Sequence, residues 1–278
     1  FSGTAIGFVA SAALVVTSGL AKTVAAATRR MGIYDKTTRG IRIYLKTLRM
    51  RGLLAVTLAA AAASAMVIVN TVVIVRGLGL GQRDVALTLA AFGGGSKCAA
   101  FALPRILDRV ADRAIMIGAS FLLVLGLAAL TAISAMIPPG QAYWHILLGG
   151  WLLLGVAYSM SVTPGGRLLR RSASSEDRPA LFAAQFALSH VCWLIAYPLV
   201  GQLGARVSMT AAFGGMAALA AVGAVAALLL WPANDPDSVS HRHDDLPADH
   251  PHQRDAHADG DAKHAFVIDD LHPRWPTT

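Results

Sequence analysis

Seven predominantly apolar runs divide this chain, at approximately 1–27, 51–76, 84–104, 113–137, 142–163, 179–204 and 208–231. A helix needs about 20 such residues to cross the hydrocarbon core of a bilayer, whereas a soluble core needs no run of that length. Strands of a membrane barrel would alternate polar and apolar residues, and stretches such as Val67-Ile68-Val69 or Leu228-Leu229-Leu230 do not alternate. The expectation is therefore an all-α integral membrane protein of about seven transmembrane helices. Composition agrees, since 14% of the 278 residues are charged and the mean hydropathy is +0.55, against about 25% charge in soluble domains.

Charge divides the chain into four parts. Residues 1–27 form a first transmembrane helix and 28–50 a basic cytoplasmic linker; 51–232 form a six-helix bundle and 233–278 a His- and Asp-rich tail. Residues 1–232 hold 20 Lys and Arg against 6 Asp and Glu, while the tail holds 4 against 10. The basic residues sit in short connections between spans, where they orient a membrane protein, so nucleic acid is set aside as a partner. The arginines of 28–51, 105–113 and 164–178 put those connections, and the tail, on the cytoplasmic side of a bacterial inner membrane. Phe1 opens inside an apolar run with no charged region before it, so the chain reads as lacking upstream sequence. Cys98 and Cys192 both lie in apolar spans and describe no disulfide framework. Within the linker, Ile41, Tyr44, Leu45 and Leu48 follow a helical period opposite Arg42, Lys46 and Arg49, the pattern of an interfacial helix on the lipid bilayer.

Polar residues in the middle of a span are costly and mark candidate sites. Asn70, Lys97, Gln185 and His190 stand in the second, third and sixth runs, whereas the first, fourth and seventh hold only small hydroxyl residues. Every third helix is thus suited to lipid, as in transporters built on three-helix repeats. Lys97 follows Gly93-Gly94-Gly95-Ser96, small residues that allow close helix approach, and reads either as a snorkelling cation or as a buried, readily deprotonated one. His190 shares a helical face with Phe186, Trp193 and Tyr197, which suits a wall for an amphipathic cation or a packed aromatic stripe. Asn70 reads as a ligand contact or as interhelical glue. His145, beside Tyr143 and Trp144, belongs to an interfacial aromatic belt.

Between the third and fourth runs the chain reads Pro104-Arg-Ile-Leu-Asp108-Arg109-Val-Ala-Asp112-Arg113. This resembles the second copy of the loop signature of the major facilitator superfamily, with Asp108, Arg109 and Arg113 matching, Pro104 in place of a Gly and Asp112 in place of a basic residue. The resemblance implies that run 1–27 is the sixth of twelve helices, that 28–51 is the central linker, and that the rest is the C-terminal half of the fold. It places Asn70 and Tyr158 on helices lining a central cavity, and Lys97, Gln185 and His190 on helices beside it. Asp108, Arg109 and Arg113 become a gate, a latch made in one access state, or else a charged turn that fixes topology.

Seven of the nine histidines lie in the tail, where His241, His243, His250 and His252 form two His-x-His pairs among aspartates. Imidazole with carboxylate suits divalent Ni, Zn, Cu or Co, and apart from such a metal no cofactor is expected. Some nickel-efflux members of the superfamily carry His-rich ends, so the resemblance extends to a metal-efflux, nickel permease-like protein. The expected function is proton-coupled export of a metal ion or small amphipathic solute by alternating access, without enzymatic activity. Two rivals stand beside it. A Mg-dependent membrane transferase has only Asp108 and Asp112 as a candidate acidic pair, and a noncatalytic receptor or scaffold predicts no solute flux. The segment 265–275 is less polar than the rest of the tail, as a docking segment would be.

Overall fold

The structure, a computed structural model, describes residues 33–234 together with Ala10, 239–241, 262–264 and 267–268. The chain divides into two compact units, 1–36 and 37–278. Of the first, Ala10 and residues 33–36 are described, all helical; the run 1–27 otherwise lies outside the described residues. The second unit holds the remaining elements.

Helix α1 (Ile33–Lys46) leads through Thr47 into α2 (Leu48–Gly77), followed by α3 (Gln82–Leu107), α4 (Asp112–Met136), α5 (Gln141–Val162), the short α6 (Gly165–Arg171), α7 (Arg178–Arg206) and α8 (Met209–Leu230). Six helical stretches are long and apolar enough to cross a bilayer, with α5 and α6 counted as one, and they coincide with the second to seventh runs. Proline sets several boundaries: Pro138-Pro139-Gly140 separates α4 from α5, Pro164 separates α5 from α6, and Pro179 opens α7, where a missing N–H costs nothing. At α8 the Ser208 side chain accepts from the Ala211 N–H at 3.0 Å, a hydroxyl cap. In the tail, β1 (Val239–His241) pairs antiparallel with β2 (Ala262–His264) in the register Val239 to His264 and His241 to Ala262.

Helix α2 is the axis of the bundle and touches each of the other long helices. It buries 72% of its apolar window against 22–44% in the others. Its run Ala59–Ala63 with Ala65 explains this, because methyl side chains let neighbours approach from every side. The tightest crossing joins α3 to α5: a Cβ on Gly95 would strike the Leu152 carbonyl, and one on Gly155 would strike that of Phe92. Of the small residues before Lys97, it is Gly95 that makes this approach, while Gly93 and Gly94 face open space.

Indole hydrogen bonds stitch the helices together. Trp151 donates to the Thr71 hydroxyl at 2.8 Å, Trp144 to Thr88 at 3.0 Å and Trp193 to Ser64 at 2.8 Å. Such bonds average about 0.6 kcal/mol in membrane bundles. Trp144 is thus an interhelical donor as well as a residue beside His145.

The linker helix differs from its sequence period. Ile43 and Tyr44 are buried, Leu45 is exposed, and Arg49 is buried because α2 has already begun there. The break at Thr47, whose hydroxyl bonds the Ile43 carbonyl at 2.8 Å, offsets the two helices and rotates the buried face.

Candidate functional site: an uncharged cavity beside a charged helix end

A cavity of about 340 Å³ and another of about 270 Å³ lie at the end of the bundle where the arginine-rich connections meet. That these connections share one end follows from their contacts. Arg39 of α1 forks onto Asp177 before α7, at 2.6 and 3.0 Å. Arg167 of α6 forks onto Asp112 of α4, at 2.5 and 3.3 Å. Arg113 donates to the carbonyls of Trp231 and Leu228 beyond and within α8, at 2.9 and 3.4 Å.

The smaller cavity is lined by Thr57 of α2, Tyr158 of α5, the glycines opening α6, and Phe182, Gln185, Ser189 and Trp193 of α7. Among the described residues that line it there is no Asp, Glu, Lys, Arg or His. Its hydroxyls donate to their own helices, Thr57 to the Leu53 carbonyl at 2.7 Å and Ser189 to that of Phe186 at 2.8 Å, which leaves their lone pairs to accept. Gln185 accepts a hydrogen bond from the Tyr44 hydroxyl of α1, so its amide N–H groups are what it can offer a solute. Burial pushes the Tyr44 phenol far above its ordinary value, with Cys192 adding to the shift, so it remains a donor.

Gln185 and Trp193 therefore come together in one cavity. His190 lies beside it on the exposed side of α7, Nδ1 at 2.7 Å from the Phe186 carbonyl and its ring 4.2 Å from that of Phe186 and 5.8 Å from that of Trp193. Asn70 is elsewhere: it is buried, donates to the Met66 sulfur at 3.4 Å and packs against Gly204 of α7. Lys97 is exposed on α3, away from both cavities.

The larger cavity collects Asp108, Arg109, Asp112, Arg113, Arg167 and Arg171. Asp108 and Arg109 are exposed, whereas Asp112 is buried and also has Arg171 at 3.9 Å. Sequence reasoning missed Asp112 as a structural anchor, along with Arg167, Arg171 and the Arg39–Asp177 pair. An acidic residue in the first turn of a span, opposite an arginine-rich connection, was the available signal. Among the described residues no group of three or more His, Cys, Asp or Glu could hold a metal. His241 lies in β1, and His243, His250 and His252 lie outside the described residues. Ile268, from the less polar tail segment, is buried in a cluster at this same end with Tyr44, Leu168 and Trp231.

Six membrane-length helices, with a cavity between them and ion pairs tying one end, define a multi-pass helical membrane protein. The family model of the Major Facilitator Superfamily matches residues 52–254, well over half of the chain, and the chain belongs to that superfamily. It is thereby a secondary transporter in general rather than an enzyme. The chain matches no curated protein and no solved structure.

Proposed function

We propose that the Gln185–Trp193 cavity binds a small amphipathic solute, neutral or cationic, which the protein exports by proton-coupled alternating access, with the arginine-rich end on the cytoplasmic face of a bacterial inner membrane. The observation that carries this reading is the lining itself. Rings of Tyr158, Phe182 and Trp193 beside one amide and two aliphatic hydroxyls supply apolar area, cation–π faces and a few orienting bonds. Among the described lining residues a bare divalent metal would find no imidazole or carboxylate to replace its water. The test is uptake of a fluorescent amphipathic cation into inverted vesicles. Trp193→Ala should weaken apparent affinity about tenfold, consistent with removal of a buried aromatic anchor. Collapse of the proton gradient should abolish uptake. Parent-like transport by both Trp193→Ala and Gln185→Ala would remove the cavity from the solute path.

The tail supports a second, separate role as a collector of divalent transition metal. The β1–β2 register sets His264 opposite Val239, two residues from His241, so His264 is a fifth histidine to weigh with the pairs 241/243 and 250/252. Calorimetry with Ni²⁺ and Zn²⁺ on the full chain should show binding that fails below pH ~6, as imidazole protonates. Binding that survives replacement of His241, His243, His250, His252 and His264 by Ala would overturn it.

A further inference from the structure

Most polar side chains described around the uncharged cavity have already placed their hydrogens. Trp193 gives its N–H to Ser64 at 2.8 Å, and Thr57 and Ser189 give their hydroxyl hydrogens to their own helices. These three have nothing left to donate to a solute. The Tyr158 hydroxyl turns freely to donate or accept, so it does not choose between solutes that offer one kind of group or the other. Gln185 does choose, because its amide is oriented from outside the cavity.

The Tyr44 hydroxyl of α1 donates to Gln185 Oε1. Tyr44 is fully buried, and its hydroxyl has no other hydrogen-bond partner among the described residues. Turned over, the amide would present an N–H to Tyr44, and the buried phenol hydrogen would lose its acceptor, which costs more than a bond between exposed groups. The Nε2 of Gln185 is thereby left for the cavity: it has no partner among the described residues and is not one of their buried atoms. Helix α1 is itself seated firmly enough to impose this. Arg39 forks onto Asp177 at 2.6 and 3.0 Å, and a Cβ on Gly40 would strike the Ala180 carbonyl, so the two backbones meet with no side chain between them.

Building on the reading of this cavity as the solute site, we propose that its solute carries a hydrogen-bond acceptor, a carbonyl or ether oxygen, beside the apolar part, and that Tyr44 of the linker helix is the positioning residue behind that preference. Two aromatic cations test it. Benzoylcholine has an ester between its ring and its ammonium, and phenylbutyltrimethylammonium has methylenes in the same place, so cation–π contact is common to both and the acceptor is not. Equilibrium binding to the purified full chain should favour benzoylcholine about tenfold. Tyr44→Phe should cut that preference about fivefold, to about twofold, because the amide is then free to turn, and Gln185→Leu should cut it as far. A thermal melt verifies that both variants fold. A general loss of packing would weaken the two cations together and leave their ratio unchanged. Gly40→Ala, which pushes α1 off the start of α7, should lower the ratio as well and add nothing to Tyr44→Phe in the double variant. Equal binding of the two cations by the parent, or a ratio that Tyr44→Phe leaves at its parent value, would overturn the acceptor preference while the cavity remained a solute site. Binding of neither cation by the parent would overturn the solute reading and the preference with it.

Discussion

The two cavities sit at the same end of one bundle and differ little in size, yet among the described residues one lining holds no formal charge and the other holds six ionisable groups. The elements that line them account for the contrast. The Asp112 group joins helix ends, where water and headgroups reach the outer faces of the arginines and lower the cost of charge. The Gln185–Trp193 cavity lies between spans, where an unpaired charge would cost several kcal/mol and where amides, hydroxyls and rings provide polarity at less expense. The charged cavity holds helices in place, and the uncharged one has room and donors to spare.

The sharpest way to break this division is Arg167→Ala. It leaves the buried Asp112 with Arg171 alone, at 3.9 Å, and should lower stability by about 2–3 kcal/mol, less than a fully buried pair because Arg167 is half exposed. A thermal melt in detergent reads it, and a melting point equal to that of the parent would mean that the fork carries no load.

Arg109→Ala probes the same cavity through its exposed member. If Arg109 stabilises one access state, transport should slow about five- to tenfold at normal membrane abundance, the loss of one charge-assisted contact. Unchanged flux would reduce Asp108 and Arg109 to a topology signal.

A smaller effect is expected where the linker meets the uncharged cavity. Tyr44→Phe removes the donor to Gln185 and should cost about 1 kcal/mol, or about fivefold in solute affinity. Its pH behaviour has a definite sign. The phenol is raised in the folded protein, so its protonated form is favoured there; the contribution is complete below the unfolded value near 10 and is lost only as pH rises beyond it. The stability difference between parent and Tyr44→Phe should be equal at pH 6 and pH 9, and a difference that shrinks in that interval would show the phenol ionising early.

What was legible in the residues followed what each element buries. Long apolar runs gave the spans, because a bilayer leaves few other solutions. On α7 the aromatic spacing of Phe186, His190 and Trp193 named a real face, since rings three and four apart meet on a helix. Helix α2 offered no such guide: apolar all round, it cannot reveal which side Asn70 faces, and the residue turned out to be packed against Met66 and Gly204. The role of Asp112 depends on Arg167 and Arg171 of α6 reaching the first turn of α4, a tertiary relation that no local pattern encodes. The Tyr44–Gln185 bond joins residues 141 positions apart and was equally hidden.

The central place of α2 has a consequence for how the protein is made. Among the six described membrane-length helices it comes first in the chain, so it leaves the ribosome before the five described helices that pack against it. An alanine-rich span can partition alone into lipid, and its small side chains let each later helix approach it closely. Each later helix then finds a smooth post already in place. Assembly of those five helices around α2 can proceed during synthesis, in chain order.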